Sequence, residues 1–121
     1  MLSPLAPFAP DFHTHVIYAR DNLIAERPEL VERFLRGWFE TIAFMRANKE
    51  RTVEITSKVL NLAPAVIDRV YDEQINIFSA DGRFDPKALA VLRQSLVEMG
   101  LLQQVPDNSV MLTTRFVPVK F

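Results

Sequence analysis

The chain has 121 residues, with 14 Lys plus Arg against 15 Asp plus Glu and no cysteine. That length suits one domain with one hydrophobic core. The balanced charge supplies no positive field to hold nucleic acid, and the missing thiols exclude disulfides, cysteine nucleophiles and cysteine-ligated metals. Apolar residues make up 49% of the chain, above the range of disordered sequences, while no run approaches the roughly 20 apolar residues that cross a bilayer.

Residues 1–11 carry Pro4, Pro7 and Pro10 and read as an extended lead-in. They contain no Lys or Arg, and the prolines interrupt what an export signal would need as a continuous apolar segment, so no export signal is read there. From Phe12 to Ala19 β-formers are common. Phe12, Thr14, Val16 and Tyr18 alternate with His13, His15, Ile17 and Ala19, which predicts a strand with apolar groups on both faces. Such a strand needs a partner edge.

Asp21 is placed to cap a short helical turn through Glu26, and Pro28 then forces a bend at Arg27 and opens the principal helix, Pro28 to Asn48. There Leu30, Val31, Phe34, Leu35, Trp38, Phe39, Ile42 and Met45 form a broad apolar stripe, with charged residues mostly between them. Lys49 to Leu60 supports a second helix, with Val53, Thr56, Val59 and Leu60 inward and Asn61 as terminator. A third runs from Pro64 to about Phe78, with Val66, Ile67, Val70, Tyr71, Gln74, Ile75 and Phe78 on one mostly apolar face. The turn pair Asp81-Gly82 follows, with Phe84 as its anchor. Asp85-Pro86 starts a fourth helix that reaches Met99, with Leu89, Val91, Leu92, Leu96 and Met99 inward and Gly100 as its C-terminal cap. A short helix at Asp107 to Leu112 and an extended tail over 113–121 complete a mainly α reading, about four helices with one N-terminal strand. Residues 12–112 form a single helical domain or a partial lobe.

Chemistry-bearing patterns are sparse. His13-x-His15 could offer two imidazoles to a metal, but no other histidine or cysteine completes the set. Asp81-x-Arg83-x-Asp85 reads as a capped turn and not a calcium loop, because Arg83 opposes a cation and the twelfth position is Leu92. In that turn Arg83 pairs with Asp81 or Asp85. There is no zinc-protease helix, glycine-rich phosphate cradle or serine elbow, so the chain reads as non-enzymatic, with no catalytic, cofactor-binding or metal-binding residue. The aromatics Phe34, Trp38, Phe39, Phe44 and Tyr71 read as core at helical spacing. His13, His15, Tyr18 and Trp38 are the residues that would form a ligand or interface surface.

The runs HVIYARDNLIAERPELVERFLRGWFETIAFMRANKE and VLNLAPAVIDRVYDEQINIFSADGRFDPKALAVLRQSLVEMGLL resemble the C-terminal portion of substrate-binding proteins of ABC transporters. The branch is that for nitrate, sulfonate and taurine, which also includes proteins similar to thiamine-pyrimidine precursor synthases. The likeness covers Phe12 to about Leu112, and its most specific parts are ARDNLIAERPE and FSADGRFDPKALAVLRQSLVEMGLL.

The resemblance implies the C-terminal part of a type II periplasmic-binding-protein α/β lobe, in which His13 to Ala19 is the strand returning to the first lobe and the helices close that lobe. It implies a transport component that captures small anions or a pyrimidine precursor between two lobes and presents them to an ABC permease, in the periplasm or outside the cell. A cytoplasmic location stays open. The family's ligand contacts lie mainly outside this segment, so a partner chain supplying the missing lobes, or a homodimer paired through Phe12 to Tyr18, is expected. The alternative is a helical interaction or oligomerisation module without solute binding.

Overall fold

The boundaries of the helices follow from residues that act locally. In the computed structural model, which describes residues 12, 13 and 15–121, these are α1 (Asp21–Glu26), α2 (Pro28–Ala47), α3 (Lys49–Leu60), α4 (Pro64–Gln74), α5 (Pro86–Glu98) and α6 (Asn108–Met111). Pro28, Pro64 and Pro86 each occupy a first helical turn, where the missing N–H has no intrahelical partner to lose. Asn48 divides two helices. Its amide Nδ2 donates to the Phe44 carbonyl at 2.9 Å, while its own carbonyl accepts from the Thr52 backbone N–H and hydroxyl, each at 2.9 Å. One residue therefore satisfies the end of α2 and the start of α3.

Asn61 stops α3 in the left-handed conformation, φ 53°, as the sequence predicts. Asp85 caps α5 by accepting from the Lys87 and Ala88 amides at 2.7 and 3.4 Å, and Gly100, φ 71°, ends the helix while Leu101 and Leu102 donate back to the Leu96 carbonyl. The third predicted helix stops at Gln74, short of Phe78. After it the chain tightens, with Ile77 donating to Gln74 at 2.9 Å and Arg46 capturing the Phe78 carbonyl at 2.6 Å.

One expectation is overturned. Among the described residues of Phe12 to Ala19 there is no strand; the segment is irregular, and Val16, Ile17 and Tyr18 are exposed. No strand lies elsewhere among the described residues to receive its backbone groups, and alternation of apolar residues cannot hold a strand without a ladder. The mainly α expectation holds: the six helices among the described residues are the four longer ones together with the two short ones also read from the sequence, α1 and α6. The predicted lead-in, 1–11, lies outside the described residues.

The chain divides into two compact units. One takes the described residues up to Asp21 together with Phe84–Arg115. It contains α5, whose Ala88 and Leu89 are buried, and Arg93, whose Nε donates to the Pro106 carbonyl at 2.6 Å and ties α5 to the segment before α6. The other takes Asn22–Arg83 with Phe116–Phe121. In it α2 meets α3, α3 packs on α4, and Leu35, Phe39 and Ile42 of α2 form a buried cluster under Val31, Phe78, Phe116 and Val119. The tail read as merely extended thus supplies two side chains to that core, and its Val119 N–H donates to the Asp81 carbonyl at 2.9 Å.

Gly82 makes that closure feasible. Its φ is +82°, and a Cβ there would lie 2.9 Å from the Phe39 ring and 3.0 Å from Val117 Cγ1. Gly100 has a similar φ of +71° but open space around it. In urea denaturation Gly100→Ala is expected to cost only the left-handed penalty, about 1–2 kcal/mol. Gly82→Ala adds overpacking of about 1–3 kcal/mol to the same penalty. Equal losses for the two substitutions would show that Gly82 is not closely packed on Phe39.

Candidate interaction surface

Helix α2 carries more apolar residues than its unit buries. Leu35, Phe39 and Ile42 point into the core at 8%, 4% and 4% exposure, whereas Leu30, Phe34, Trp38 and Phe44 are exposed at 42–54%. The broad stripe read from the sequence is two faces. Of the aromatics expected in the core, Phe39 is buried; Tyr71 is half-buried and donates its hydroxyl to the Met45 carbonyl at 2.7 Å. Phe34, Trp38 and Phe44 are instead on the surface, because the elements covering α2 reach only its other side.

Phe34 and Trp38, one turn apart, stack with ring centroids 6.2 Å apart at 23°, which holds both side chains in one arrangement. Beside them Gly37 leaves an open notch, with nothing within 4 Å of where a Cβ would sit. Thr41 donates its hydroxyl to the Gly37 carbonyl at 2.7 Å, so its hydrogen-bonding demand is met within the helix.

A second set of exposed apolar residues lies on the α3–α4 hairpin. Val59 and Leu60, predicted inward on α3, are exposed, and Thr52 and Ser57 are buried with Val53 instead. On α4 only Ile67 is buried, while Val66 and Val70 are exposed. Lys49 reaches from α3 to both Asp68 and Asp72 of α4, at 3.0 and 2.7 Å. Its hydrogen bonds, first to Asp72 and then to Asp68, hold the ammonium pKa above the usual lysine range.

The four residues singled out from the sequence are divided between the units: His13, His15 and Tyr18 belong to the first and Trp38 to the second. His13 meets the edge of Phe84 at 6.0 Å, and its buried Nε2 has no hydrogen-bond partner. His15 and Tyr18 are exposed. Among the described residues no group of three His, Asp or Glu side chains is arranged to hold a metal ion. A shallow depression at the α2–α3 junction is lined by Ala47, Asn48, Lys49, Glu50 and Arg51, but Lys49 is already committed to its two aspartates. No helix among the described residues is long and apolar enough to cross a membrane. Sequence reading missed Gly37 and Thr41 as surface features, since a small residue within an apolar stripe gives no local sign of which face stays open.

The turn at Asp81 resolves the open pairing of Arg83. Asp81 accepts from Arg83 Nε and Nη2, both at 2.7 Å, and from the Arg83 amide at 3.1 Å; Asp85 is occupied with its cap. Comparison with known protein families, with curated proteins and with solved structures finds no match to this chain.

The Arg83 side-chain hydrogen bond, followed by the Arg83 backbone amide, holds the Asp81 carboxyl below the usual aspartate range. A folded-state pKa below the unfolded one means that the stabilisation is complete above the unfolded value and is lost as pH falls through the folded value. Carboxyl-carbon NMR should show Asp81 titrating below the usual range, and Arg83→Gln should move the titration upward. An unchanged midpoint in Arg83→Gln would exclude this pair as the cause.

Proposed function

We propose that this chain is a non-enzymatic helical element related to the substrate-binding component of an ABC transporter, of the branch that takes nitrate, sulfonates, taurine or pyrimidine precursors. In that reading its helices form a closing layer for an α/β lobe supplied by another polypeptide segment, and the solute is held by that lobe. The assembled component would work in the periplasm or outside the cell and deliver its solute to a membrane permease. The observation that carries the reading is the order of sequence blocks from ARDNLIAERPE to FSADGRFDPKALAVLRQSLVEMGLL. The exposed apolar pairs Ile55 and Val59 on α3 and Val66 and Val70 on α4, each one helical turn apart, support it, since a docking element keeps apolar side chains on its surface.

A second reading is a helical self-association module without solute binding. The exposed Phe34–Trp38 stack beside the Gly37 notch favours it.

The transport reading is tested by complementation. A binding protein of that branch, stripped of its own C-terminal helices, should co-purify with this chain. The pair should regain a rise in Tm that grows with nitrate or taurine concentration, as mass action requires of a ligand that binds the folded state. No complex with the stripped protein, or a complex indifferent to every anion of the class, would overturn the reading.

A further inference from the structure

We propose that α2 pairs with α2 of a second copy of this chain, antiparallel, through the face that carries the Phe34–Trp38 stack. The proposal rests on the self-association reading and gives it a register. Along the exposed face, positions 30, 34, 37, 41 and 44 follow the alternating spacing of four and three residues that makes a coiled-coil seam. They are Leu30, Phe34, Gly37, Thr41 and Phe44.

Size complementarity fixes the direction. When two such helices run antiparallel so that position 34 faces position 37 of the partner, position 30 faces position 41. In these two layers a large side chain meets a small one: Phe34 enters the open notch over Gly37, and Leu30 lies on the methyl of Thr41, whose hydroxyl is already satisfied by the Gly37 carbonyl; Phe44 lies beyond them, opposite position 27 just before the partner helix. A parallel pair in register would set glycine against glycine and phenylalanine against phenylalanine, leaving a void in one layer and crowding the next.

Charge complementarity selects the same register. Arg33 and Glu40 are seven residues apart on the outer flank of the seam, and both are exposed. Among the described residues neither forms an ion pair. In an antiparallel pair like flanks meet, and the register that seats Phe34 over Gly37 also brings Arg33 of each copy to Glu40 of the other, twice by symmetry. A parallel pair would place Arg33 against Trp38 and Glu40 against Met45, with no opposite charge to meet. The apolar layers supply the affinity and the two ion pairs choose the orientation.

Sedimentation equilibrium of the intact chain over a range of concentrations should fit a monomer–dimer equilibrium. Gly37→Leu, which fills the notch and suits a helix, should weaken the dimer at least tenfold while keeping the helical circular dichroism of the parent. Arg33→Glu and Glu40→Arg should each weaken it and the double reversal should restore it, an outcome that misfolding cannot imitate. Because the chain lacks cysteine, Leu30→Cys mixed with Thr41→Cys should oxidise to a disulfide heterodimer, whereas Leu30→Cys alone should not cross-link. A dimer indifferent to these substitutions, or a homodimeric disulfide from Leu30→Cys alone, would overturn the antiparallel α2 pairing while leaving self-association in place. A monomer at every concentration would overturn both.

Discussion

The second unit depends on the approach of a backbone turn to one aromatic ring. Phe39 is 4% exposed because Gly82, in the left-handed region, lets the turn after α4 come against its ring without a Cβ in between. The same turn receives Val119 through the Asp81 carbonyl, and its shape is held by Ser79, whose hydroxyl accepts from the Gly82 amide at 2.9 Å, and by the Asp81–Arg83 pair. A local turn thereby positions residues far apart in sequence: Phe39 in α2, Phe78 after α4, and Phe116 and Val119 near the C-terminus. The exposed ion pair contributes little by itself. Its effect is to keep the turn in the conformation that the ring requires.

That closure also determines what α2 leaves uncovered. The turn and the C-terminal segment cover the side bearing Leu35, Phe39 and Ile42, and nothing in the unit extends to the side bearing Leu30, Phe34 and Phe44. Burial of a large apolar side chain is worth about 1.5–3 kcal/mol relative to exposure, so leaving Leu30, Phe34, Trp38 and Phe44 half-exposed forgoes a substantial part of the stabilisation that α2 offers. The hairpin repeats the pattern: Ile67 and Val53 are buried between α3 and α4, and Val59, Val66 and Val70 are not. Surface of this kind, concentrated on helix faces and not scattered singly, is characteristic of association.

The parts of the fold legible in the sequence are those decided within a few residues. Pro28, Pro64 and the Asp85-Pro86 pair start helices by their own backbone chemistry, and Asn61 and Gly100 end them by tolerating positive φ. The mainly α class followed from periodicity for the same reason. The strand expected at Phe12 to Ala19 failed because a strand is defined by its neighbour, which alternation along one segment cannot supply. The division of the α2 stripe into two faces was equally hidden: Trp38 and Phe39 are adjacent in sequence and similar in chemistry, yet one is 43% exposed and the other 4%. Only the turn at Gly82 and the tail from Phe116 distinguish them, and both lie far away along the chain.

Gly37 states the energetic problem of α2 most directly. A glycine inside a helix costs roughly 0.5–1 kcal/mol relative to alanine, because it gives up more backbone freedom and packs no side chain. Among the described residues nothing uses the space it leaves: its position is exposed, φ is not in the left-handed region, and no atom of theirs lies within 4 Å of a Cβ built there. Gly82 is different, since its missing Cβ is filled by Phe39. The two glycines thus mark two kinds of close approach. At Gly82 a side chain of the same chain occupies the gap and closes a core. At Gly37 the gap faces outward, flanked by a phenylalanine held in place by its stack on Trp38, and the helix cost is offset only when something of matching shape enters. In the proposed antiparallel pairing, that something is the Phe34 ring of another copy.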